Sequence, residues 1–156
     1  MLDRLELEQL VRGIYEARLA GNLDALCQTF SNDAVFRIAG AGQINPISSI
    51  AVGVGEFRPL LSLMIKAFKL SNLTIHSILI DGSMAGVHWR AEVYSRLTGL
   101  TAATEFIALV EVRKERVVSY TEFFVPLSQS TPGSFPKGRH GVGGSRRHAG
   151  ASAQLC

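Results

Sequence analysis

Residues Val87–Tyr94 read V-H-W-R-A-E-V-Y, and Tyr120–Phe124 read Y-T-E-F-F. Both are rich in β-branched and aromatic side chains, the composition of strands packed on a core. Successive strand side chains point to opposite faces. His88, Arg90, Glu92 and Tyr94 therefore share one face of the first segment, and Tyr120, Glu122 and Phe124 one face of the second. Turned into one cavity, Arg90, Glu92 and Glu122 would be an arginine shared by two carboxylates. One carboxyl can then hold a proton while the other is charged, with the guanidinium bridging them. The expected chemistry is acid–base, with Glu122 as general base, Glu92 as general acid and Arg90 orienting both. The alternative is a structural ion-pair network, and a one-residue slip of register would turn Trp89, Ala91 and Val93 inward instead.

Outward from these segments, period-two patterning predicts four strands, Leu73–Asp81, Ala85–Arg96, Thr101–Arg113 and Arg116–Val125, joined by short turns into a meander. Phe106–Val112 is apolar on both faces, which predicts that both are covered, the outer one by a second copy. Upstream, Leu7, Leu10, Val11 and Ile14, with Arg18 in line, mark one face of a helix over Leu5–Leu19 that Gly21-Asn22 stops. A shorter helix follows from Leu23 to Phe30, then a strand, Ala34–Ile38, with Phe36 and Ile38 on one face. Ala39–Gly55 is glycine-rich and holds Pro46, the makings of a loop or broken edge that could cover a pocket. Helical spacing resumes over Glu56–Phe68, with Pro59 in a first turn.

The 156 residues, 47% hydrophobic, suffice for one core. Of the 16 lysines and arginines, four (Lys137, Arg139, Arg146, Arg147) lie beyond Leu127, where there is no carboxylate, leaving 12 against 13 acidic residues in the body. A near-neutral body does not point to nucleic acid. The expected organisation is a domain over 1–127 and a disordered Gly/Ser-rich basic tail over 128–156. No apolar run has membrane-spanning length and the chain opens on charged residues, so a cytoplasmic protein with no membrane partner is expected. Cys27 and Cys156 have neither metal spacing nor a disulfide framework. No metal is expected, and the Gly53-Val54-Gly55 run lacks the context of a dinucleotide site, so no cofactor is expected either.

The order helix, helix, strand, helix, four-strand meander, with L-A-G-N-L-D-A-L (19–26), S-N-D-A-V-F-R (31–37) and R-K-E-R-V-V-S-Y-T-E-F-F (113–124), resembles the nuclear-transport-factor-2-like superfamily. It looks like a SnoaL-like or ketosteroid-isomerase-related member over Leu5–Leu127. The resemblance implies an α+β, cone-shaped, cystatin-like roll, three N-terminal helices packed on a strongly curved, mainly antiparallel sheet. On this alignment the steroid isomerases' tyrosine and two aspartates fall at Ile14, Ile38 and Ala108, which move no proton. The Arg/acid/acid pattern of limonene epoxide hydrolases falls at Arg90, Glu92 and Glu122, while the tyrosine and asparagine that hold its water fall at Phe36 and Ile38. The cone implies a mostly apolar pocket lined by Tyr15, Phe36, Ile38, Phe106, Tyr120 and Phe124, with His88 at its edge as a proton shuttle or a partly exposed polar residue. The expected activity is a cofactor-free isomerase, cyclase, dehydratase or epoxide hydrolase acting on a small hydrophobic molecule. The alternative is a non-catalytic binding or assembly subunit. A homodimer is expected in both cases.

Overall fold

The structure, a computed structural model, describes residues 1–39 and 49–129. Helix α1 (Arg4–Ala20) starts in a reciprocal cap, the Asp3 side chain accepting from Glu6 N and the Glu6 side chain from Asp3 N. It buries Leu7, Val11, Ile14 and Tyr15, and stops where Gly21 turns left-handed at φ 66°. Asn22 then caps α2 (Leu23–Gln28) by accepting from Ala25 N. This second helix ends two residues short of the expected Phe30, because Phe30 is already in strand β1 (Phe30–Ala39).

Strand β2 (Ser49–Val52) is an edge, as the glycine- and proline-rich stretch around it suggested, and α3 (Val54–Ala67) follows; it starts before the expected Glu56, so Pro59 lies inside the helix and not in the first turn expected for it. The meander is β3 (Phe68–Asp81), β4 (Met84–Ser95), β5 (Thr101–Arg113) and β6 (Arg116–Gln129). Of the suggested pocket cover, residues 40–48 lie outside the described residues. So does the expected tail beyond Gln129.

The six strands form one curved sheet in the order β2-β1-β6-β5-β4-β3. All pairs are antiparallel except β1 with β6, so the first long strand returns beside the last. This gives the α+β architecture anticipated from the order of elements, with the helices on one face of the sheet. Two registers matter for the site, Ile38 opposite Glu122 and Ala108 opposite Glu122, which place Glu122 in the middle of the inner face.

The core is aromatic. Trp89 stacks on Phe106 with ring centroids 3.8 Å apart, Phe36 lies parallel to Tyr120 at 5.2 Å, and Tyr15 leans on Trp89 at 5.0 Å. Aromatic pairs with centroids about 4.5–7 Å apart, as in the last two, contribute about 0.5–1.5 kcal/mol each beyond their buried area.

Trp89 is fully buried, and this fixes the register of β4. Ala85, Val87, Trp89 and Ala91 face the helices, so His88, Arg90, Glu92 and Tyr94 face the other way. The inward set is wholly apolar, whereas the opposite choice would bury an arginine and a glutamate. On the outer face Ile107 is 44% exposed, Leu109 45% and Phe123 39%, leaving that side uncovered in the single chain. None of the described helices is long and apolar enough to cross a membrane.

Candidate active site: an ion pair in an apolar cavity

Between α3 and the inner face of the sheet lies a cavity of about 300 Å³, at the small end of ligand pockets. Leu61, Met64 and Ile65 of α3 form one wall, and Ile38, Phe106 and Phe124 of the sheet form another. Among the described residues that line it, only Arg18 and Glu122 are ionisable. Thr98 and Leu100, exposed residues between β4 and β5, line it as well.

Strand alternation puts Tyr120, Glu122 and Phe124 on the inner face of β6, and Glu122 is 2% exposed. Its partner comes from α1. Arg18 lies four residues beyond Ile14 on the helix's buried face, and its guanidinium sits 5.1 Å over the Trp89 ring, a cation–π contact. Arg18 Nη1 donates to Glu122 Oε2 at 2.5 Å and Nη2 to Oε1 at 3.3 Å. Tyr120 donates its hydroxyl to Glu122 Oε2 at 2.7 Å, and its oxygen lies 3.4 Å from Arg18 Nη1 and 3.3 Å from the Tyr15 hydroxyl. Because the single Tyr120 proton goes to Glu122, Tyr15 must donate to Tyr120. The polarity of the chain is thereby set: Tyr15 to Tyr120 to Glu122.

The two carboxylate oxygens are unequal. Oε2 takes two short hydrogen bonds, whereas Oε1 takes one long one, so Oε1 keeps lone-pair capacity. Burial raises the pKa of both tyrosines, with the Glu122 charge adding to it, so their hydroxyls stay neutral donors. Burial alone would lower the Arg18 value, but Glu122, Tyr120 and Tyr15 outweigh it and the net direction is upward. Arg18 is a permanent cation here.

The expected trio is therefore divided. Glu122 lies at the cavity, but Arg90 and Glu92 are exposed on the outer face, where Glu92 accepts from Asn72 Nδ2 at 2.8 Å. The reason is the β4 register set by Trp89. His88 follows them outward, 2.5 Å from Glu105 and with its ring 4.9 Å from that of His76. Of the expected lining residues, Ile38, Phe106 and Phe124 reach the cavity, while Phe36 is fully buried in the core beneath Tyr120. Tyr15 and Tyr120 act from behind Glu122 through hydrogen bonds rather than as wall. The arginine that occupies the site, Arg18, had a visible signal: a cation in line with the apolar stripe of the first helix. Among the described residues no cluster of His, Cys, Asp and Glu could hold a metal ion.

Three helices on a curved, mainly antiparallel sheet, with an ion pair in a mostly apolar hollow of its inner face, define a cone-type α+β roll. A family model described as the SnoaL-like domain matches residues 11–120, and the chain belongs to that family. Its fold is shared with a candidate isomerase from Bacillus subtilis (TM-score 0.71, 19% identity, covering 81% of this chain and 91% of that one). It is also shared with an LEH-like epoxide hydrolase of M. tuberculosis (0.64, 18%, 78% and 84%). A candidate polyketide cyclase from Xanthomonas campestris pv. campestris is similar as well (0.63, 19%, 77% and 90%). Among curated proteins none matches the chain in sequence. At these identities the likeness establishes the fold.

Proposed function

We propose that this chain is a cofactor-free enzyme that moves a proton on a small, largely apolar molecule held in the cone cavity, with Glu122 as proton acceptor and Arg18 as its cationic partner. One observation carries this: among the described residues, the ionisable groups of a mostly apolar cavity are a buried, hydrogen-bonded ion pair. A buried pair adds little to stability compared with apolar residues of the same volume, so a pair opening on an apolar hollow is better explained by what enters the hollow. Oε1 takes the proton, Tyr120 and Arg18 Nη1 hold Oε2 in place, and the guanidinium stabilises negative charge developing on the substrate. Proton transfer of the isomerase or cyclase kind needs one carboxylate that takes the proton and returns it. Hydrolysis of an epoxide, with a separate acid, would need the second carboxyl that Glu92 does not bring to the cavity.

The test is turnover. Wild type and Glu122→Gln are incubated with cyclic β,γ-enones and terpene epoxides small enough for the cavity, and products are followed by gas chromatography. The variant is expected to lose about 100-fold or more of the activity with an unchanged circular dichroism spectrum, and undiminished turnover would overturn the assignment. A non-catalytic binding role is favoured by one feature: both Glu122 oxygens already have donors without a ligand. Wild type that binds the panel but converts none of it would establish that role.

The same proposal includes a homodimer through the outer sheet face, where Ile107, Leu109 and Phe123 form an exposed apolar patch. A monomer by light scattering would remove it. It also includes a reducing, cytoplasmic setting, which suits the free Cys27.

A further inference from the structure

The charge balance of the cavity says what kind of molecule it takes. Arg18 and Glu122 cancel, and among the described residues the other lining side chains are uncharged. A ligand bearing its own charge would enter a site with no counter-charge to spare, and would leave water without compensation. A carboxylate would meet Glu122, and an ammonium would meet Arg18.

The pair is neutral but not saturated. The guanidinium has five N–H donors, of which Nη1 uses two, on Glu122 and Tyr120, and Nη2 uses one, on Glu122. The Nε–H and the second Nη2 hydrogen have no acceptor among the described residues. The Arg18 side chain is only 10% exposed, yet it lines the cavity. These two N–H groups are accessible from the cavity, where water meets them before a ligand enters, and a ligand oxygen that displaces the water must replace its hydrogen bonds.

We infer that Arg18 is the specificity-determining residue, and that it selects uncharged molecules carrying an oxygen acceptor, a carbonyl or an ether-type ring oxygen, on an apolar body. Carboxylates and amines of the same shape are rejected. This rests on the proposal that the cavity is the ligand site, but it concerns selection rather than turnover. The acceptor oxygen lies against the free edge of the guanidinium and the apolar body against Ile38, Phe106 and Phe124 of the sheet.

The chain supplies its own reporter. Trp89 is its only tryptophan, and it lies under Arg18 and against Phe106, both of which line the cavity. The experiment titrates 4-tert-butylcyclohexanone, the matching carboxylic acid and the matching amine at pH 7, reading Trp89 fluorescence, with calorimetry as a second measure. Wild type is expected to bind the ketone about tenfold or more tighter than either charged probe. Glu122→Gln leaves the Arg18 charge unbalanced and should move the preference at least about tenfold toward the carboxylate. Arg18→Gln should move it toward the ammonium. If Arg18→Gln fails to fold, the wild-type ranking and the Glu122→Gln shift decide the matter. The inference is overturned by a wild type that prefers a charged probe, by a ranking that Glu122→Gln leaves unmoved, or by the absence of binding of all three. Full turnover by Glu122→Gln would refute the proton-acceptor role and leave this selectivity standing, so the two fail separately.

Discussion

Breaking the Arg18–Glu122 pair from one side should cost far more than removing both partners. In Arg18→Met the carboxylate of Glu122, 2% exposed, loses its counter-charge and two of its three hydrogen bonds while water stays excluded. Loss of one partner of a buried pair costs about 3–5 kcal/mol, and this burial places the variant in that range. In Glu122→Leu the unpaired group is Arg18, which opens on the cavity and can be hydrated there, so the expected cost is about 2 kcal/mol. The freed Tyr120 hydroxyl can turn to Tyr15, 3.3 Å away. In the double variant no charge is left buried, and stability should return to within about 1 kcal/mol of wild type or exceed it. Urea denaturation of the four proteins gives the coupling energy, expected at about 3 kcal/mol or more. A value below about 0.5 kcal/mol, the scatter of independent sites, would show that the two groups do not act as a buried pair. A double variant as unstable as the sum of the singles would show the same.

Alkaline pH supplies a second prediction. Tyr15 and Tyr120 have raised values, so in the unfolded chain they ionise near the ordinary value of 10.0 while in the fold they stay neutral. The unfolded state then binds fewer protons, and stability is full below pH 10 and falls above it by up to about 1.4 kcal/mol per pH unit for each tyrosine. Tyr15→Phe and Tyr120→Phe should each flatten that slope in urea titrations between pH 9 and 11, and an unchanged slope would refute the burial of their hydroxyls. The two-residue β5–β6 turn gives a third. Lys114 and Glu115 both have positive φ, at 49° and 63°, a conformation suited to Asn-Gly. Lys114→Asn with Glu115→Gly should stabilise by about 1 kcal/mol and raise the melting temperature by about 4 °C; a lower melting point would count against the turn geometry.

The meander was legible because β5 keeps the bounds Thr101–Arg113 read from its patterning, and the helices because Leu7, Val11 and Ile14 recur at helical spacing. The parallel return of β1 beside β6 is non-local, and no local pattern announces it. Arg90 and Glu92 face outward because Ala85, Val87, Trp89, Ala91 and Val93 spell an apolar face on the alternate positions of β4; that an arginine and a glutamate share a face does not fix which face turns inward. Glu122 shares its face with Tyr120 and Phe124, and there the same alternation worked. Arg18 needed the one thing a strand pattern cannot supply, the packing of the first helix over the middle of the sheet.

If a molecule entering the cavity meets the Arg18–Glu122 pair first with its oxygen, a crystal structure of the 4-tert-butylcyclohexanone complex should show the carbonyl oxygen about 3 Å from an Arg18 nitrogen, with a carbon beside the carbonyl facing Glu122 Oε1. A ketone bound with its oxygen toward Thr98 and Leu100, or bound outside the hollow, would contradict it.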